Sequence, residues 1–170
     1  MHARSSLGVM TLALTLAVAA SISAPGGHAA SGTRTARSAA PSPAVQARER
    51  RMKAIVRRWS ARLNAGDNEG VARLFSVPAL MIQGSYAYRL RSREQIAQWH
   101  SGLPCSGEIV SIAIKGRFAT AVFRLGDRGA SACDAPGELV AARFEIVDGR
   151  IVVWQQVPLP KKPEEPGPVL

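Results

Sequence analysis

The middle of this chain predicts an α+β domain: three amphipathic helices packed on one side of a strongly curved antiparallel sheet. Three observations carry that expectation. Apolar residues recur at helical spacing from Met52 to Leu63 and again from Ile96 to Leu103. From Glu108 onward the pattern becomes strand-like runs separated by glycine turns. Helical segments come first and most strands follow, the order of an α+β rather than an α/β chain. With 170 residues, 46% of them apolar and 20% charged, the chain can bury one core and is not disordered throughout.

Taken in order, residues 1–29 read as a secretory signal. His2 and Arg4 precede an uncharged run from Leu7 to Ile22, and Gly27-His28-Ala29 offers a small-x-small cleavage site, with Ala24 as a second one. An uncleaved membrane anchor is the alternative, although the run falls short of the roughly 20 apolar residues that span a bilayer. Residues 30–44 form a low-complexity linker, residues 45–158 the folded domain and residues 159–170 a Pro-rich tail. The expected location is secreted or cell-surface, with membrane contact only if the signal segment stays uncut.

Within the domain, Met52, Ile55, Val56, Trp59 and Leu63 form one stripe of a first helix, which stops at Asn64-Ala65-Gly66. Asp67 can cap a short second helix that buries Val71, Leu74 and Phe75 and ends at Pro78. Ala79–Gln83 and Tyr86–Leu90 flank Gly84-Ser85 as a hairpin. Ser92 and Gln95 have capping-box spacing and open a third helix, with Ile96, Trp99 and Leu103 as its apolar face and His100 beside it. Glu108–Ile114 and Arg117–Leu125 flank Lys115-Gly116, and Leu139–Val147 and Arg150–Val157 flank Asp148-Gly149, the strongest turn signal in the chain. Val140, Ala142, Phe144 and Ile146 alternate onto one face of their strand. The last strand is apolar on both faces, with Ile151, Val153 and Val157 on one and Val152 and Trp154 on the other. That pattern leaves open which face looks inward, and it suggests cover by the helices on one side and a second subunit on the other.

The net charge of +10 raises the question of nucleic acid, and its placement answers it. Residues 31–60 carry +7, whereas residues 61–160 carry only +2. A nucleic-acid-binding domain needs its charge on the folded face that meets the phosphates, so nucleic acid is not an expected partner. Eighteen of the 22 basic residues are Arg, a signature of GC-rich coding that carries no functional information. Cys105 and Cys133 lie beyond the signal and read as one disulfide in an exported chain. A redox pair or a metal site are the alternatives. Against them, there is no CxxC, and His2, His28 and His100 are the only histidines, too few ligands for zinc. No metal or cofactor is expected, and neither a Gly-rich phosphate loop nor a GxSxG elbow is present.

Four strings now matter together: Trp59-Ser60-Ala61-Arg62-Leu63-Asn64-Ala65-Gly66-Asp67, Val71-Ala72-Arg73-Leu74-Phe75, Arg93-Glu94-Gln95-Ile96 and Asp148-Gly149-Arg150-Ile151. In order and spacing, over residues 48–158, the chain resembles the nuclear transport factor 2-like superfamily in its SnoaL-like bacterial branch. The resemblance implies a cone-shaped fold with a pocket at its open end. It also implies a range of roles: binding small hydrophobic molecules, isomerase, cyclase, dehydratase or hydrolase activity, or assembly, with homodimers through the outer sheet face. Such a fold does not settle function.

The superfamily's ketosteroid isomerases use a carboxylate base on the first strand, with a tyrosine and a protonated acid donating to the oxyanion. Carried over by position, the base falls on Gln83, the tyrosine on or near Trp59, and the second acid on Ala141 or Ala142. None of the three roles is kept. Cyclases and epoxide hydrolases of the superfamily lean on pocket carboxylates. Here Asp127, Asp134 and Asp148 sit in predicted turns and Glu145 neighbours Arg143 on the polar face of its strand, so the hollow is expected to be poor in acids.

The residues expected at the pocket are Trp59, Gln83, Tyr88, Trp99, His100 and Trp154. The three tryptophans lie on different elements that this fold gathers around one cavity, Gln83 and His100 would orient a ligand, and Tyr88, with Tyr86 and Arg89, would line the mouth. No catalytic set is identified. His100, the domain's single histidine, is the one candidate for proton transfer, and beside rather than within an apolar face it should be removable with little loss of stability. The leading expectation is non-catalytic binding of a small, mostly apolar ligand or a partner. The alternatives are a small isomerase, cyclase or hydrolase using His100 with an unidentified carboxylate, and a structural dimerisation module with a collapsed cavity.

Overall fold

The computed structural model describes residues 40–129 and 131–161. The proposed signal with His2 and His28, residues 30–39 of the linker and residues 162–170 of the tail lie outside the described residues. Helix α1 (Pro43–Asn64) begins inside the segment read as linker, because Ser42 caps it and Pro43 suits the first turn. The stripe from Met52 to Leu63 is buried as its spacing predicts. Helix α2 (Asn68–Ala72) is capped by Asp67, whose Oδ1 accepts the Gly70 N–H at 2.7 Å. Expected to extend through Phe75, this helix stops short. Phe75 instead opens strand β1 (Phe75–Gln83), which runs on through Pro78 and its cis peptide bond with Val77. Strand β2 (Tyr86–Leu90), helix α3 (Arg93–Ser101) and strands β3 (Cys105–Lys115), β4 (Phe118–Asp127), β5 (Leu139–Val147) and β6 (Arg150–Val157) follow. No helix among the described residues is long and apolar enough to cross a membrane.

The six strands form one sheet in the order β2-β1-β6-β5-β4-β3. All neighbours are antiparallel except β1 and β6, so the sheet is mixed rather than purely antiparallel. That pairing joins the first strand to the last, and no local turn announces it. The open question about β6 is settled by a bulge. Glu145 pairs with Val153 but Ile146 pairs with Ile151, leaving Val152 as an extra residue in the ladder. The inserted residue resets the alternation, so Ile151 and Trp154, of opposite parity, are both buried on the helix side. Phe75, Met81, Ile96 and Phe144 complete the centre of the core with no exposed surface.

Helix α3 is rolled relative to its sequence pattern. Ser92 Oγ accepts the Gln95 N–H at 3.3 Å, as capping predicts, while Gln95 Oε1 reaches back to the Arg91 N–H at 2.7 Å. Its buried residues are Ile96, Ala97 and His100, and Trp99 is only half-buried. The end of this helix is closed by Arg128, 8% exposed, which follows β4. Its Nε–H donates to the Leu63 carbonyl at 2.8 Å, and its Nη1 donates to the carbonyls of His100 at 2.6 Å and Leu103 at 2.8 Å. Its Nη2 donates to Asn68 Oδ1. Arg128 makes no ion pair among the described residues. The carbonyl-rich ends of α1 and α3, each with roughly half a negative charge, balance it instead.

Candidate functional site

A cavity of about 330 Å³ opens between the end of α1, the start of β3, strands β4–β6 and the segment joining β4 to β5. Its buried lining is apolar: Trp59, Phe123, Ala141, Ala142 and Trp154. Its exposed lining is mostly polar, with Gln83, Gln156, Asp134 and Glu138 beside Pro104. The indole of Trp59 meets Phe144 edge-on with ring centroids 5.0 Å apart and lies 6.4 Å from Trp154. The Trp154 Nε1–H is buried without a hydrogen-bond partner among the described residues.

Of the six residues expected at the pocket, three line it: Trp59, Gln83 and Trp154. Trp99 stacks edge-on against Trp154 at 4.9 Å, but with Tyr88 it lines a separate shallow depression beside α3. Tyr88 pairs with Met81 across β1 and β2 and stacks against Tyr86, away from the cavity. His100 is fully buried behind Trp59 rather than beside an open surface. Its Nδ1–H donates to the Ile96 carbonyl at 2.7 Å, and its Nε2 accepts the Trp59 Nε1–H at 3.1 Å. Burial pushes its pKa down to about 4, partly resisted by the Ile96 hydrogen bond and aided by the charge of Arg128. The imidazole is therefore neutral with both nitrogens engaged, and what it does is hold the Trp59 indole against the cavity.

The positions matched by resemblance to the isomerases' catalytic residues, Trp59, Gln83, Ala141 and Ala142, do converge on the cavity. Their chemistry is that of an indole, an amide and two methyl groups, with no base among them. The expectation of an acid-poor hollow needs correction, because Asp134 and Glu138 belong to its lining. The cause is the Cys105–Cys133 disulfide, with S–S 2.09 Å and Cα atoms 4.6 Å apart, which fastens the segment before β5 to the first residue of β3. Asp127, read as a solvated turn residue, accepts the Cys133 N–H at 2.9 Å and secures the same segment. The Gly137 N–H donates to the Leu125 carbonyl at 2.8 Å. Asp134 Oδ1 lies 3.2 Å from Cys105 Sγ, but a disulfide sulfur has no proton to donate. Both sulfurs being bonded to each other, the cluster of Cys105, Cys133 and Asp134 is no metal site. Glu145 pairs with Arg117 at 2.9 Å, and Arg143 donates to Gln155 rather than to Glu145.

Sequence reasoning had a usable signal for the two acids. A bridge from residue 105 to residue 133 must bring residues just after Cys133 to the start of β3, and that strand end faces the cavity. Arg128 carried no such signal, since its acceptors come from three distant segments.

No family model and no curated protein matches the sequence. Solved structures do match the fold. A proposed polyketide cyclase from Sinorhizobium meliloti is 17% identical, covers 63% of this chain and 98% of its own, and has a TM-score of 0.52. A proposed ketosteroid isomerase from Kribbella flavida is 18% identical, with 68% and 84% covered and a TM-score of 0.52. A de novo designed protein with a curved β-sheet is 14% identical, with 63% and 84% covered and a TM-score of 0.51. At these identities the likeness is one of fold, and a designed scaffold shares it as well as the two natural proteins do. The bent mixed sheet, its helical cover and these neighbours together show that the chain has the cone fold of the nuclear transport factor 2-like superfamily.

Proposed function

We propose that this is an exported, non-catalytic domain that holds a small, mostly apolar ligand in the cavity of the cone. The observation that carries the reading is an open cavity of about 330 Å³ whose buried lining is aromatic and aliphatic. Ligand pockets run from roughly 300 to 1,000 Å³, so a small molecule is the matching size. Against proton-transfer chemistry stands His100, neutral, enclosed and hydrogen-bonded at both nitrogens. The disulfide supports the assignment to an oxidising, extracytoplasmic setting. Native mass spectrometry of protein purified from its own host is the test, and a copurified small molecule is the expected result. Repeated preparations carrying nothing, together with a lipophilic library that never raises Tm, would overturn the reading.

A further inference from the structure

We infer that the cavity selects a cationic amphiphile, with an apolar body among the indole and aliphatic side chains and an ammonium-type head held by Asp134 and Glu138. This rests on the cavity being a ligand site and adds the sign of the ligand's charge. The first observation is the charge of the lining. On a chain of net charge +10, the residues around the cavity include two carboxylates and no Lys, Arg or His. Neither carboxylate joins an ion pair among the described residues. Arg124, which donates to the Gly137 carbonyl at 3.2 Å, lies outside the lining.

The second observation is polarity along the cavity. Trp59, Phe123 and Trp154 are buried, while Asp134 and Glu138 are exposed. An apolar tail therefore enters the dry part and a charged head stays where water still reaches it, avoiding the penalty of burying an ion. Two carboxylates beside low-dielectric walls concentrate cations and repel anions.

The test is a matched series of octylammonium, octanol and octanoate, titrated into the disulfide-bonded protein and followed by calorimetry and tryptophan fluorescence. Octylammonium should bind about fivefold more tightly than octanol, the worth of two exposed ion pairs. Octanoate should bind most weakly. The preference should shrink when salt rises from about 10 mM to about 500 mM, where the screening length drops to a few ångströms. In D134N/E138Q the three ligands should converge to within about twofold. If octanol binds wild type as tightly as octylammonium, or the preference survives in the double variant or at high salt, the charge inference fails while the cavity reading stands. If none of the three binds, both fail.

Discussion

Replacing His100 by Phe separates what the imidazole packs from what it protonates. A phenyl ring refills the space among Phe75, Trp99 and Trp59, whose ring centroids lie 5.1, 4.9 and 6.0 Å from His100. The Trp59 N–H, however, loses its acceptor, and an orphaned buried donor is worth about 1–3 kcal/mol. The pH dependence is more diagnostic. Below its ordinary value of 6.5 the unfolded histidine binds a proton, whereas the folded one stays neutral down to about pH 4. The unfolded state thus holds more protons in that window, and stability falls as pH falls. The contribution is fully present above pH 6.5 and declines by at most about 1.4 kcal/mol per pH unit, about 3 kcal/mol in all by pH 4. Asp67 and Glu94, held below the usual carboxylate range by hydrogen bonds from Gly70 and Ser92 respectively, titrate alike in both proteins and cancel in the comparison. Urea unfolding across that pH range should therefore show wild type losing stability faster than H100F, so that the gap between them closes toward acid. Parallel profiles, or a variant within about 0.5 kcal/mol of wild type at neutral pH, would refute the buried neutral imidazole and its bond to Trp59.

Truncation to H100A leaves a hole as well as the orphaned donor, so urea melts should show a loss of about 3–5 kcal/mol, where the sequence pattern suggested little. Arg128→Met leaves the Leu103 carbonyl and the Asn68 amide oxygen without their guanidinium donor, while the Leu63 and His100 carbonyls keep backbone N–H partners, and an unfolding titration should register about 2–3 kcal/mol. Arg128→Lys should recover only part of it, because an ammonium cannot reproduce the planar fork. Alkylation of the denatured, unreduced protein should label neither Cys105 nor Cys133, and C105S/C133S should lower stability by about 3.5 kcal/mol for its 28-residue separation in the chain-entropy model.

What the sequence made legible were features whose cause is local. Asp148 and Gly149 take positive φ values of 48° and 75°, and the hairpin they close has the strand limits its alternation predicts. The α1 stripe and the Asp67 and Ser92 caps are likewise short-range and hold. Features with distant causes were not legible. Phe75 looks helical until the Ile151 N–H, far along the chain, donates to the Leu74 carbonyl and draws the segment into the sheet. His100 borders its helix stripe on paper. In the folded chain, Phe75 and Trp59 pack against its ring, while Arg128 holds its carbonyl. At the cavity, Trp59, Trp154 and Gln83 followed from the order of elements, whereas Trp99 and Tyr88 line a different depression. The two acids were readable only by following the disulfide, which sets the path of their segment, and not from periodicity.

The last of the six described strands sits third in the sheet, bridging the β2-β1 hairpin to the β5-β4-β3 meander. A nascent chain that has not yet released residue 157 holds its sheet in two unjoined parts, and the ribosome still hides the strand that joins them. Completion of the sheet therefore waits for β6 and is governed by the closure of a long loop. A stop codon placed anywhere before β6 should yield no smaller working version of the protein, only substrate for proteases.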